Sequence, residues 1–482
     1  MLEQQQIQGV QTDNGRVERV KLGELQMREY DFLLMYEHKV RELDNLCLLK
    51  YELDRRGYRT KILYANDYEL VKSRTPMYRT KVLVIGYCYT SSSIRDYASY
   101  RIKFDKVINL QWEQVTTNEQ EKDSGSFRNL SGLAKEIVHI SWGEKNQKRL
   151  IEKAKVAPRN VKVTGNITMD LLRSEFRGFY GSREEICRQY DLPTDKKLCL
   201  FIAGFKYVEA SAEEKRATIA RFGEGRRHYL EVAEKEQLTI LQWFRQFLEE
   251  NKEYVIVYRP HPGDTSPRAE KLAQEYENFR VISELSVKQW IAVSDLVYAW
   301  NSTAILEAFF AGKNPVYLCP YPIPEDQDHP LLMQMNKVKD YETFRKTISG
   351  EMPDIGLTKD MVNPFYLVDE ERANYLKIAD AFEEVYRDDR YSFGGRQRRE
   401  YRRLYTFKDR MVILFMRMTF LYRIYSWVLV HIPLPFIKRR RKWLESYQDK
   451  EFRKWKKMNA IEAETDGEVD AVIYKIKRLL EA

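Results

Sequence analysis

Short apolar runs rich in β-branched and aromatic residues recur along this chain, and the stretches between them carry the spacing of amphipathic helices. That alternation constrains the fold more than any other feature. An apolar run too short for a buried helix, and without polar alternation, fits a strand covered on both faces. Strands of that kind belong to parallel sheets joined by helical crossovers. One series reads Asp31–Tyr36, Thr60–Ala65, Lys81–Tyr87, Lys106–Leu110, Glu136–Ser141 and Val161–Gly165. A second reads Leu198–Gly204, Tyr254–Tyr258, Arg280–Ile282, Leu296–Trp300 and Pro315–Leu318. Helical spacing falls between them at Val40–Arg56, Glu144–Ala154, Arg227–Asn251, Pro267–Tyr276 and Thr303–Ala311, and a further helix, Asp369–Tyr386, is placed to pack back across both halves. The two series predict an α/β protein of two doubly wound, Rossmann-type domains facing a cleft. A chain of 482 residues is long enough for two cores. The expected division is a polar segment at 1–27, domains at 28–175 and 176–390, and an appendage at 391–482. Thr116–Phe127 and Ala210–Gly225 read as exposed loops.

Composition narrows the setting. The five cysteines are scattered through apolar runs without CxxC spacing, which reads as buried thiols in a reducing compartment rather than a disulfide framework or a zinc site. The first residues, MLEQQQIQGVQTDNG, contain no apolar signal region, so the expected location is cytoplasmic. Charge is unevenly placed. Residues 391–443 hold 14 Lys/Arg against Glu400 and Asp409, which exceeds the net +9 of the whole chain. The basic character therefore belongs to one segment, and a charged partner is to be sought there.

In open α/β sheets, function gathers at the carboxyl ends of strands. Tyr254–Asp264, YVIVYRPHPGD, runs a strand straight into Arg259, Pro260 and His261. The prolines fix the backbone around His261, the Arg259 fork suits a phosphate, and His261 can donate to one or neutralise it. A strand-ending turn with solvated side chains is the plain alternative. In Ser294–Leu318, SDLVYAWNSTAILEAFFAGKNPVYL, a strand leads into Asn301, Ser302 and Thr303 and then a helix. Asn301 or Ser302 can cap that helix, and the free N–H groups of its first turn would form an anion site. Glu307, one turn on, could accept from a ribose diol. Near the start, Glu37, His38, Arg41 and Glu42 follow the first strand, and Glu37, His38 or Glu42 could take a proton from a hydroxyl; salt bridging at a helix start is the alternative. Glu113, Gly204 and Lys206 sit at other strand ends, and so do Gly165 and Asn166. Asp326-Gln327-Asp328 spells DxD, but in the Pro-rich loop PYPIPEDQDHP, where a metal role is not expected.

The YRPHP turn and the following SD…WNST…E…G.NPV segment resemble the C-terminal half of GT-B-type transferases. The likeness extends to bacterial surface-carbohydrate (capsule and surface polysaccharide) biosynthesis proteins, with the related CDP-glycerol glycerophosphotransferases and capsule sialyl- or Kdo-transferases. FLLMYEHKVRELDNLCLLKYELDRRGY looks like that group's opening strand and helix. HISWGEKNQKRLI…VKVTGNITMD resembles the interdomain stretch of such transferases and of UDP-sugar 2-epimerases. The resemblance spans roughly Asp31 to Tyr386. It implies a GT-B-like fold with an acceptor-side first domain and a nucleotide-donor second domain. It also implies that His261, Ser302 and Thr303 hold the donor phosphates, that Glu307 lies near the nucleotide, and that no metal or bound cofactor is needed. The implied donor is a CMP-, CDP-, UDP- or GDP-linked sugar, or a polyol phosphate, and the implied acceptor is a lipid-linked or growing glycan. A sugar-nucleotide epimerase on the same fold, or a non-catalytic membrane scaffold, are the alternatives.

The appendage has its own logic. In Met411–Phe436 the apolar stretch is interrupted by Arg417 and Arg423, carries Trp427, and is followed by Lys438, Arg439, Arg440 and Arg441. No uninterrupted run is long enough to span a bilayer. An aromatic, Arg-flanked segment suits an in-plane helix on an anionic membrane, expected here at the inner face of the plasma membrane. No nucleic-acid-binding motif accompanies the charge, so nucleic acid is not an expected partner. The residues set no oligomeric state.

Overall fold

A computed structural model describes residues 27–65, 78–99, 101–118, 130–261, 264–351, 354–367, 369–407, 462, 463, 465 and 467–481. The first sheet is built from β1 (Arg28–Tyr36), β2 (Thr60–Tyr64), β3 (Tyr78–Ile85), β4 (Ile102–Asn109), β5 (Val138–Ser141) and β6 (Val161–Val163). The second contains β7 (Lys197–Ala203), β8 (Tyr254–Arg259), β9 (Phe279–Val281), β10 (Leu296–Trp300), β11 (Val316–Leu318) and β12 (Lys337–Val338). Every pairing is parallel. The orders are β2-β1-β3-β4-β5-β6 and β12-β11-β10-β7-β8-β9. These are two Rossmann-like α/β domains in the GT-B-like layout expected. All six strands of the first sheet, and β7 to β11 of the second, fall on a predicted run; β12 was not predicted, because two residues carry no periodicity.

Strand interiors are buried on both faces, as the apolar runs require. Phe32 to Tyr36 and Leu198 to Ala203 are all buried. The second core is the more aromatic: Phe201 meets Phe244 edge-on at 5.0 Å, and Phe205 stacks on Trp300 at 4.2 Å. Each such ring contributes about 1.5–3 kcal/mol through burial.

Helix Asn374–Arg387, expected to pack back across both halves, packs on the first domain. Its face Tyr375, Ile378, Ala379, Phe382 and Val385 belongs to the first core, where Phe382 stacks on Phe32 at 5.8 Å. Both ends of this helix are tied to the first domain. Buried Asp170 accepts from the N–H groups of Asn374 (3.0 Å) and Tyr375 (2.5 Å). Buried Lys106 donates to the carbonyls of Val385, Tyr386 and Asp388 at 2.8–3.0 Å, satisfying the end where the helix dipole favours a cation.

The appendage divides. Helix Gly395–Arg403 docks on the first domain through Arg398–Asp105 (2.8 Å), Ser91–Glu400 (3.2 Å) and the edge-on pair Phe104–Tyr401. Helix Glu468–Leu480 lies against helix Lys39–Arg55 and buries Ile476. Two parts of the expected membrane tail are therefore elements of the first domain. The membrane residues Arg417, Arg423, Trp427 and Lys438 to Arg441 lie outside the described residues. Among the described residues, no helix is long and apolar enough to cross a membrane.

Candidate functional site at the two strand edges

In an open parallel sheet, a crevice opens where neighbouring strands send their crossovers in opposite directions. In the first sheet that point lies between β1 and β3, and in the second between β7 and β10. The residues beyond these strands are Glu37–Arg41 and Gly86–Thr90 on one side, Gly204–Tyr207 and Asn301–Thr303 on the other. The two domains meet through loops around these edges. Asn118 donates from its N–H to the Asp328 carbonyl (3.1 Å) and from Nδ2 to the Glu325 carbonyl (2.8 Å). Lys288 of the second domain reaches Asn45 Oδ1 and the Thr168 carbonyl, both at 3.3 Å.

The four residues after β1 separate into different roles. Glu42 is buried; one carboxylate oxygen accepts from the Glu37 N–H (2.9 Å) and the other from Arg41 (2.7 Å). It fastens the start of helix Lys39–Arg55 and is not placed as a proton acceptor for a substrate. Arg41 also bridges to Glu113 at 2.8 Å, joining the ends of β1 and β4. Glu37 is half-buried, and burial followed by the Glu42 charge holds its carboxyl above the usual range against the pull of His38, Tyr97 and Arg41. His38 lies 3.6 Å from Glu462, whose hydrogen bond raises the imidazole against burial. Glu462 also accepts from the Lys39 N–H (2.6 Å), and its carbonyl accepts from Tyr36 Oη (2.8 Å). A residue of the appendage thus reaches the rim of the first sheet. Nothing local in the sequence links positions more than 400 apart.

Beneath this rim lies a buried polar network with no counterpart in the sequence reading. Asn109, Gln111, Gln114, His139, Asn146 and Arg149 are all buried. Asn109 Nδ2 donates to Gln111 Oε1 and to His139 Nδ1, both at 3.1 Å, so the ring donates from Nε2 to the Ala134 carbonyl (2.7 Å). Burial lowers His139 to about 4, and the ring is neutral. Gln114 Oε1 accepts from the Trp142 N–H (2.8 Å) and Asn146 Nδ2 (2.7 Å). The expected helix 144–154 is α only to Lys148; Arg149–Lys153 forms a π turn, from which Arg149 donates to the Gln114 carbonyl (3.0 Å) and to Asn146.

The second edge departs from expectation. Arg259 is buried, and its guanidinium donates to the carbonyls of Ser283 (2.9 Å), Glu284 (2.8 Å) and Leu285 (2.5 Å). It stitches β8 to the loop after β9; the fork expected to hold phosphate is already filled. The turn after β10 is also internally bonded. Ser302 Oγ accepts from Ala304 N (3.4 Å), and the N–H groups of Ile305, Leu306 and Glu307 donate to the carbonyls of Ser302, Thr303 and Ala304. Helix Ile305–Phe310 therefore starts later than predicted, and the N–H groups of Ala304, Ile305, Leu306 and Glu307 are occupied within the turn. Asn301 stands at φ +40° and donates to Tyr229 Oη (2.8 Å), with Arg226 stacked over the Tyr229 ring at 4.7 Å. Gly204 packs against this turn; a Cβ there would lie 2.3 Å from the Asn301 carbonyl.

His261 lies 3.8 Å from Asp264, and the Lys206 charge acts on that same carboxylate. Burial holds Glu307 above the usual carboxylate range, with Lys288 and Arg259 opposing. Gly165 and Asn166 serve the returning segment instead of a cleft. A Cβ at Gly165 would meet Asn374, and the Asn166 carbonyl accepts from Asn374 Nδ2 (3.1 Å). Asp328 of the DxD triplet pairs with Lys337 at 3.1 Å.

No protein-family model and no curated protein sequence matches the chain. Solved structures align with it at low identity. Staphylococcus aureus MnaA with UDP is 14% identical at a TM-score of 0.45, covering 74% of this chain and 97% of its own. The wall teichoic acid polymerase TagF, as the H548A variant, is 11% identical at 0.48, covering 74% and 89%. The UDP-GlcNAc 2-epimerase of Neisseria meningitidis bound to UDP-GlcNAc is 12% identical at 0.46, covering 73% and 99%.

Proposed function

We propose that this chain is a glycosyltransferase that moves a sugar from a nucleotide donor to a surface glycan or its lipid-linked precursor. The observation that carries the reading is the pairing of unlike strand edges at two switch points. Beyond β1 stands Glu37, a half-buried carboxyl whose affinity for protons is raised by burial. Beyond β7 and β8 stand Lys206, a cation, and His261, an imidazole that can donate a hydrogen bond, both suited to a leaving phosphate. A transfer reaction needs both: a base for the acceptor hydroxyl and positive charge where the nucleotide departs. Glu37 is the proposed base, His261 and Lys206 contact the donor phosphates, and Glu307 accepts from the ribose. Arg259 acts by holding the loop after β9. The base is one of cytosine, uracil or guanine. The basic segment around Arg417–Arg441 is proposed to rest on anionic lipid at the inner face of the membrane, holding the acceptor side close to lipid-linked glycan.

Calorimetric titration of the full chain with CMP, CDP, UDP and GDP, beside His261→Ala, tests the donor site. One nucleotide should bind tightly, and the substitution should weaken it by about 1.5–3 kcal/mol, the worth of a hydrogen bond to a charged group. No binding to any of the four by folded protein sinks the reading. Free nucleotide appearing from the matching nucleotide-sugar without acceptor would favour epimerisation or hydrolysis.

A further inference from the structure

The first-sheet switch point carries a second feature that proton transfer does not require. The loop after β3, Gly86-Tyr87-Cys88-Tyr89-Thr90, displays two half-buried tyrosines whose rings stack at 5.7 Å with planes 26° apart. Tyr97 backs Tyr87 edge-on at 5.3 Å. Gly86 allows this packing, since a Cβ there would lie 2.8 Å from Tyr97 Oη and 2.9 Å from Trp112 Cδ1.

The platform is held from beneath. Gln111 donates from Nε2 to Tyr89 Oη (2.7 Å) and to the Glu113 carbonyl (3.2 Å), while its own Oε1 accepts from Asn109. Gln111 stands at φ +49°, a costly conformation for a residue with a side chain, and its N–H is tied to Asn109 Oδ1 at 3.1 Å. Thus the buried network fixes Tyr89 through Gln111. A polar network under a sheet edge is costly unless every member is paired, and it adds little that apolar packing would not provide except rigid placement of what lies above it. Beside Tyr89 lies a water-sized recess of about 20 Å³, lined by the polar groups of this network and by Leu130, Ile140 and Leu150.

We infer that this edge is a saccharide-binding subsite, with Tyr87 and Tyr89 as the stacking face and Glu37, Arg41 and Glu113 as the polar rim. A sugar ring offers an apolar C–H face and an edge of hydroxyls. Aromatic faces suit the first, and carboxylates and guanidinium suit the second. The subsite deepens the proposed function by naming the acceptor as a neutral glycan, and it rests on that reading only for the word acceptor. The rim argues against a polyol-phosphate chain. Glu37 and Glu113 would repel it, while Arg41 is already paired to Glu42 and Glu113, and Arg149 bonds Gln114 and Asn146.

The test is saturation-transfer NMR and calorimetry on the full chain with lactose, maltose and chitobiose, against an oligomer of glycerol phosphate. At least one disaccharide should bind. Tyr87→Ala combined with Tyr89→Ala should weaken it at least about tenfold, as for a lost stacking face. Tyr89→Phe, which keeps the ring, should stay within about threefold. Nucleotide affinity, measured in the same samples, should not change. The inference falls if no disaccharide binds to protein shown folded by circular dichroism, if the alanine variant binds as well as wild type, or if only the glycerol phosphate oligomer binds. Loss of nucleotide binding in wild type would sink the donor reading and leave the saccharide result to stand on its own.

Discussion

Both domains are six-stranded parallel sheets, but their strands are ordered differently, with the switch point between the first and third strands of one and the first and fourth of the other, and they use their strand edges in opposite ways. Beyond β1, β3 and β4 the charged and aromatic side chains stand on a buried polar network, and Glu37, Tyr87 and Tyr89 remain at the rim. Beyond β8 and β10 the residues that look most suited to an anion are bound into the scaffold: Arg259 to three carbonyls, Asn301 to Tyr229, Ser302 to its own turn. On that side His261 and Lys206 are only half-buried, His261 lying 3.8 Å from Asp264. A position at the carboxyl end of a strand makes a residue a candidate; its hydrogen-bond partners decide whether it has donors left to offer.

That contrast can be broken by experiment. The largest effect expected is on the first edge. Glu37→Gln should lower kcat by about 10²–10⁴-fold, the usual worth of a general base, with nucleotide affinity unchanged. A drop below tenfold would move the role to His38. Next, Arg259→Ala should cost about 1–3 kcal/mol, read as a lower urea midpoint, because the carbonyls of Ser283, Glu284 and Leu285 lose a charged donor that ties the loop to β8. His261→Ala should leave that midpoint in place. If both variants lost nucleotide affinity with stability intact, the division between scaffold and site at the second edge would be wrong.

The buried network sharpens the comparison through pH. His139 has a folded value of about 4, below the ordinary 6.5. The unfolded chain takes up the proton first as pH falls. The stability this site contributes is therefore whole above about pH 6.5 and is lost toward pH 4, by up to roughly 1.4 kcal/mol per pH unit. His139→Asn should flatten that part of the urea midpoint's pH profile; an unchanged slope would mean that the ring does not titrate as buried. The smallest effect expected is at Glu462. His38 is raised by its hydrogen bond to Glu462, so Glu462→Gln should return it toward 6.5. Proton NMR of the imidazole reads this directly, and no shift would detach the appendage from the rim.

Legibility followed range. Ser211-x-x-Glu214 and Ser182-x-x-Glu185 are capping boxes written in four consecutive residues, and both start helices. The first marks helix Ala212–Phe222 within a stretch read as a loop, a local signal that charge content hid. The buried network had no such marker. Asn109, Gln114, His139 and Arg149 stand among polar or apolar neighbours like any others, and only the pairing of β4 with β5 brings Asn109 to His139.

By itself the sequence determined the two parallel α/β domains and the strand ends where chemistry gathers. Burial on both faces and helical amphipathicity act over a few residues and leave a readable period. Only the tertiary structure decided which strand-end groups are engaged: Arg259 by carbonyls some 25 residues on, Arg41 by Glu113 at the end of another strand, and His38 by a residue of the appendage. Hydrogen-bond partners are chosen by proximity in the folded chain, and proximity across hundreds of residues leaves no period in the sequence.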